Sequence, residues 1–196
     1  MIPDTDRPRI AALLDFWFAA GTPEWNQPRK VWWVKDPAFD EDLRQRFLDD
    51  HLRAASGALA SWQDEPESCL ALVLLLDQLP RNLFRGSPRA FATDPLAREV
   101  AGHALARGFD REMPKVRRSF LYLPFEHSES LADQHRCVRL FEAMAETPED
   151  RETARHAHLH RDLVARFGRV PHRNAVLGRE TTPEEAEFLK EPGSSF

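Results

Sequence analysis

The sequence predicts an all-α protein, and three observations carry that prediction. Apolar residues recur at the 3.6-residue period of a helix, as in Ile10, Leu13, Leu14, Trp17 and Phe18. A side chain able to accept from free backbone N–H groups stands directly before proline at Asp36-Pro37, Ser87-Pro88, Asp94-Pro95, Thr147-Pro148 and Thr182-Pro183. Proline loses nothing at a first helical position, where its missing N–H would have had no partner, so 15 prolines are compatible with a helical chain. No run alternates apolar and polar residues around an Asn-Gly turn, the mark of a β-hairpin.

Taken in order, the first helix carries the Ile10–Phe18 face, and the second follows Pro37 with Phe39, Leu43 and Phe47 at i, i+4, i+8. The run from Cys69 to Leu79 is apolar nearly all round. Its length and Leu-rich, little-branched content favour a central helix, enclosed by the others, over a buried strand. Pro80 should end or kink it, leaving Asp77 and Gln78 in the last turn. After Ser130, the residues Leu131, Gln134, Val138, Phe141 and Ala145 make another amphipathic face. Pro148 to Phe167 is the longest helix, stopped by Gly168. Thr182 has Glu185 at the capping-box position. The connections are short except Ala20 to Asp36 and Gly168 to Thr181. The tryptophans of the first, Trp25, Trp32 and Trp33, are expected to fold back onto the helices.

At 196 residues the chain suits a single domain spanning 1–196, with about 190–196 as a loose tail. Apolar residues make up 42% of it, enough for an ordinary core. A net charge of −5 gives no global attraction to nucleic acid or an anionic membrane, and neither is expected as a partner. The longest apolar run, Leu70 to Leu76, falls far short of the roughly 20 residues of a membrane span. The charged start at Asp4, Asp6 and Arg7 does not resemble a signal peptide. Cys69 and Cys137 stand alone and read as buried thiols of a reducing compartment, so the cytoplasm is the expected location.

Chemistry concentrates in three polar clusters: Asp77 through Arg85, Pro124 through Glu129, and His160 through Glu180. The first, the second, the third and the segment Ala90-Phe91-Ala92-Thr93-Asp94-Pro95 resemble the bacterial domain-of-unknown-function family 924. Asp15-Phe16-Trp17-Phe18, Trp33, Phe39 and Asp40 fit the same pattern. The resemblance covers nearly the whole chain. It implies a compact array of antiparallel helical hairpins similar to the tetratricopeptide-repeat superfamily, without that superfamily's repeat in the sequence, and it implies no activity or cofactor. Val170 stands where the family usually has an aromatic residue, and Ser130 where it favours an acid.

The residues themselves admit more than one use. Arg161, Arg166, Arg169, Arg173 and Arg179 gather around a loop with Asn174, and guanidinium forks match carboxylate or phosphate oxygens in pairs. That describes a pocket for a small anion. It equally describes an internal salt-bridge network with Asp77, Glu129, Asp133, Asp162 and Glu180. Asp77 opposes a helix dipole unless a cation such as Arg81 offsets it. The candidate ligand-binding set is Asp77, Gln78, Arg81, Asn82, Arg85, His127, Glu129, His160, Arg166, Arg169, His172, Arg173, Asn174 and Arg179, expected to converge on one polar cavity.

Of these, His127, Glu129 and His160 are also candidates for acid–base chemistry. His160 is expected to bond an acid such as Asp77 or Glu129. His156 and His160 lie at i, i+4, but Arg155-His156-Ala157 lacks the glutamate of a metalloprotease helix, so no metal site is expected. Ser128 lacks a nucleophile elbow; it or Ser130 is expected to cap the next helix with Asp133. Two partners stay open: a small anionic molecule in the Arg/His/carboxylate pocket, or a protein or peptide on the helical surface, with the Trp25 to Trp33 region as its source of apolar anchors.

Overall fold

The computed structural model describes residues 1–194; it is helical throughout, and no strand occurs among the described residues. The chain divides by contact into two compact units, residues 1–85 with 89–124, and residues 86–88 with 125 onward. No helix among the described residues is long and apolar enough to cross a membrane.

The first unit begins with α1 (Arg7–Trp17), which buries Ile10, Leu13, Leu14 and Trp17. Its final carbonyls would lack partners, and the following loop supplies them. Arg29 donates to Phe16 O at 3.0 Å and Trp17 O at 2.8 Å, and the Trp32 indole donates to Trp17 O at 3.1 Å. α2 (Pro37–Ala55) starts as its sequence demands, with Asp36 accepting from the Ala38 and Phe39 N–H groups, and it buries Phe39, Leu43 and Phe47. α1 and α5 (Asp94–Arg107) pack against α3 (Pro66–Val73), while α2 packs against α4 (Leu79–Leu83). Gly108, at φ 74°, closes α5.

Pro80 does not end the central helix. Between α3 and α4 the backbone widens into a π-turn, Leu74–Gln78, and the helical path continues through Pro80 to Leu83. The Leu79 N–H reaches back five residues to Leu74 O. Pro80 has no N–H, so the carbonyls four and five residues before it lose their helical donor. Both are met from other elements: Thr93 Oγ1 donates to Leu76 O at 2.6 Å, and His51 Nδ1 to Leu75 O at 2.8 Å. The Leu75 carbonyl can only accept, so the His51 proton sits on Nδ1. Burial keeps that imidazole neutral by lowering its pKa.

Two of the Asx/Ser-Pro junctions differ from the sequence reading. Ser87-Pro88 opens only a short 3-10 turn, Pro88–Ala90. Asp94 is the first residue of α5 rather than its cap, with Thr93 before it. Each side chain is drawn elsewhere: Thr93 to Leu76 O and Asp94 to Arg81. Tertiary partners outcompete local capping there.

In the first unit α6 (Lys115–Glu126) begins, and it runs on to the opening residues of the second. The second unit then holds α7 (Leu131–Met144), α8 (Pro148–Phe167) and α9 (Pro183–Phe188). α7 and α8, joined by three residues, pack along each other. Thr147 and Asp150 form a capping box at the start of α8, and Gly168, at φ 69°, stops it. Thr182 and Glu185 form a second box on α9. Val170 packs with Leu163 and Val164 against Phe167 and Phe188. Of the segment expected to be loose, Lys190 to Gly193 forms turns, and Ser194 is buried with its hydroxyl donating to Leu189 O at 3.1 Å. Ser195 and Phe196 lie outside the described residues.

Candidate functional site

Each polar cluster is organised around an acid. In the first unit Asp77 is fully buried within the π-turn, where Gln78 Nε2 donates to it at 2.6 Å and Arg81 stands 3.5 Å away. Arg81 also forks onto Asp94 at 2.9 and 3.0 Å. Burial works against the Arg81 charge, but Asp77 and Asp94 outweigh it and hold the guanidinium protonated. Asp40 accepts from Asn82 at 2.7 Å and from Arg85 at 2.6 and 3.0 Å. Burial raises that carboxyl, yet Arg85 and Asn82 bring it below its usual range. Asp77, Gln78, Arg81, Asn82 and Arg85 are thus bonded to one another or to acids of their own unit.

The second and third clusters meet in the second unit. Glu129 accepts from both Arg179 nitrogens, at 2.7 and 3.0 Å, and from the Val170 N–H at 2.8 Å. Burial opposes its charge; the Arg179 fork and Val170 N–H overcome that and lower its pKa. Glu185 receives the Arg169 fork at 2.6 and 2.8 Å, together with Asn174 at 3.1 Å and the Thr182 N–H at 2.8 Å. The Arg169 fork foremost holds the Glu185 carboxyl at about 2. Arg166 pairs with Glu184 at 3.0 Å and Arg161 with the adjacent Asp162. Arg173 donates to His127 O at 2.8 Å.

In the same unit lies the buried imidazole of His160, with the half-buried His127 and His172 acting on it. His160 faces Glu126, not Asp77 or Glu129, with Nε2 to Oε1 at 3.5 Å. Burial first, and then His127, Arg173 and His172, push its pKa down to about 3. His172 is pushed to about 4, chiefly by burial and by Arg173, although a bond to the Ser194 backbone works the other way. Cys137 Sγ contacts Glu126 Oε2 at 3.8 Å, and burial followed by that carboxylate drives the thiol far above its ordinary pKa. Cys69, also buried, is pushed up to about 12. Neither thiol is placed to act as a nucleophile.

The serines behave as caps. Ser130 accepts from the Asp133 N–H at 3.5 Å, while Ser128 donates to Asp133 at 2.7 Å and accepts from the Ser130 N–H at 3.1 Å. His156 is half exposed and pairs with Glu152 at 3.7 Å, one turn before the buried His160 on α8. Among the described residues, no three His, Cys, Asp or Glu side chains gather closely enough to hold a metal ion.

Sequence reasoning passed over the roles of His51, Thr93 and Glu126, and that of Glu185 as an Arg169 partner. A proline inside an apolar helix was the available signal for the first two, because it guarantees stranded carbonyls. It also misplaced two tryptophans. Trp32 folds into the core of the first unit, but Trp25 and Trp33 are 52% and 63% exposed and Val34 is 49% exposed. Trp32 and Trp33 are consecutive in a 3-10 turn (Lys30–Trp32 with Trp33 as its cap), so burying one turns the other outward. Trp33 lies flat against Phe120, with ring centroids 6.3 Å apart and planes at 2°.

The chain matches the family model described as "Bacterial protein of unknown function (DUF924)" over residues 13–193. It is 45% identical to the solved structure "Protein of Unknown Function ATU0120 from Agrobacterium tumefaciens". That likeness covers 94% of this chain and 98% of the other, with a TM-score of 0.84. A comparison with curated proteins returned no match.

Proposed function

As the chain belongs to this bacterial family of unknown function, its role rests on its own residues, and we propose that it is a protein-interaction module which docks partners through the Trp25–Val34 surface of its first unit. The observation that carries this reading is the contrast between two sets of side chains. Arg81, Arg85, Arg166, Arg169 and Arg179 are each bonded to an acid of their own unit, as a structural network requires and an anion pocket does not. Trp33, by contrast, offers most of its indole to solvent while its ring lies parallel to Phe120 and perpendicular to Trp32, with centroids 6.3 Å from each. A rigidly backed tryptophan makes an efficient anchor, since little side-chain entropy is lost when a partner covers it.

Trp25 belongs to the same surface. Its neighbour Asn26 accepts from Arg117 at 2.8 Å, and Arg117 lies one turn of α6 before Phe120. Site-specific photo-crosslinking in producing cells tests the reading. A benzoylphenylalanine in place of Val34 should give discrete protein adducts that Trp33→Ala removes, whereas the same probe at exposed Glu152 in the second unit should not. Adducts from both positions or from neither would overturn it. So would a thermal shift with phosphorylated metabolites or dicarboxylates that Arg169→Ala abolishes, because a small-anion site in the second unit would then be the better account.

A further inference from the structure

We infer that the partner segment is acidic, presenting carboxylates on either side of an apolar anchor that covers Trp33 and Val34; this rests on the interaction reading above. The chain divides its cations by use. Of its 27 basic side chains only four are lysines, Lys30, Lys35, Lys115 and Lys190. Two of the four bracket the exposed Trp33-Val34 pair, and both are exposed. Elsewhere in the first unit the cations that hold the fold are arginines bonded to acids, such as Arg7 on Glu65, Arg81 on Asp94 and Arg117 on Glu67.

The side-chain ammonium group of neither Lys30 nor Lys35 has an ion-pair or hydrogen-bond partner among the described residues. The acids around them are already engaged. Glu24 pairs with Arg29 at 3.3 Å, Asp36 accepts the first N–H groups of α2, and Asp40, which feels the Lys35 charge, is bonded to Arg85 and Asn82. Lys30 and Lys35 thus place two exposed ammonium charges beside an aromatic anchor, offset locally by Asp36 alone, on a chain whose net charge is −5. Complementary charge at a rim sets partner choice and association rate, and the apolar centre supplies affinity. A basic or neutral partner gains nothing from these two charges, and two lysines with no basic helix behind them are a poor match to nucleic acid.

The experiment uses the whole protein and a synthetic probe peptide carrying a Leu-Phe pair flanked on each side by glutamates, followed by tryptophan fluorescence. Two controls carry lysine or serine in place of the glutamates. The glutamate peptide should bind at least tenfold tighter than either control, and more weakly as salt is raised. Lys30→Glu with Lys35→Glu should reverse the preference in favour of the lysine peptide, and Trp33→Ala should abolish binding of both. Both lysines are exposed, and an unchanged circular dichroism spectrum checks that the fold is intact. Equal binding of all three peptides, no binding, or lysine-dependent binding to anionic lipid vesicles in place of the peptide would overturn the inference. Discrete adducts at position 34 with no charge preference would sink the acidic partner alone, while absent adducts would sink the interaction reading itself.

Discussion

Two side chains hold the centre of the first unit where the backbone alone cannot. His51 and Thr93 answer the Leu75 and Leu76 carbonyls that the π-turn and Pro80 leave without helical donors. A buried carbonyl stripped of its donor costs about 1–3 kcal/mol, so Thr93→Val, which keeps the shape and removes the hydroxyl, should destabilise the protein by that amount. Urea unfolding measures it; a change within about 0.5 kcal/mol of zero, the range of a neutral surface substitution, would show that Leu76 O needs no donor. The sequence carries half of this arrangement. Pro80 in an apolar helix announces stranded acceptors, but nothing near it names Thr93, 13 positions on, or His51, 29 positions back. The same holds for the acids: Arg81 was bound to need one, and the fold chose Asp94 as well as Asp77.

At the scale of elements, the best-anticipated features are those whose forces act within one turn. Gly168 stops α8, and the Thr147-Pro148 and Thr182-Pro183 starts form where the spacing places them. Thr147→Ala removes the hydroxyl half of the α8 box and should cost roughly 0.5–2 kcal/mol, measured by thermal unfolding. Gly168→Ala should cost about 1 kcal/mol for a different reason. The added Cβ meets open space, so the whole penalty lies in the left-handed backbone at φ 69°. If Gly168→Ala leaves the midpoint unchanged, α8 ends for some reason other than that glycine. The anticipated elements fail where a distant group competes for a capping side chain. Asp94 and Thr93 are drawn into the interior of their unit, and α5 starts without a side-chain cap as a result.

For the molecule as a whole, the buried His160 and half-buried His172 of the second unit make stability depend on pH. His160 and His172 titrate at about 3 and about 4 in the fold, against an ordinary value near 6.5. Below pH 6.5 the unfolded chain takes up protons that the folded one refuses, so stability is full above that pH and falls as pH drops toward 4. Each imidazole contributes on the order of 1.4 kcal/mol per pH unit inside that window. Lower still, carboxyls held below their usual range, Glu185 at about 2 and Glu129 and Asp40 in the same direction, add their own loss as they protonate. His160→Gln should leave the denaturation midpoint less steeply dependent on pH between 6 and 4.5, by about one proton. An unaltered slope would mean that His160 is not held neutral.

What the sequence determined by itself is the all-α class, most helix starts and stops, the buried thiols and the membership of the polar clusters. Each follows from spacing within a few residues or from composition. Only the tertiary structure decided which acid meets which arginine, that the helix passes through Pro80, and that Trp32 turns inward while Trp33 faces solvent. Those outcomes join positions far apart in the chain, such as Glu129 with Arg179 and Asp40 with Arg85. A guanidinium fits any carboxylate that reaches it, so the pairing becomes definite only once the helices have packed.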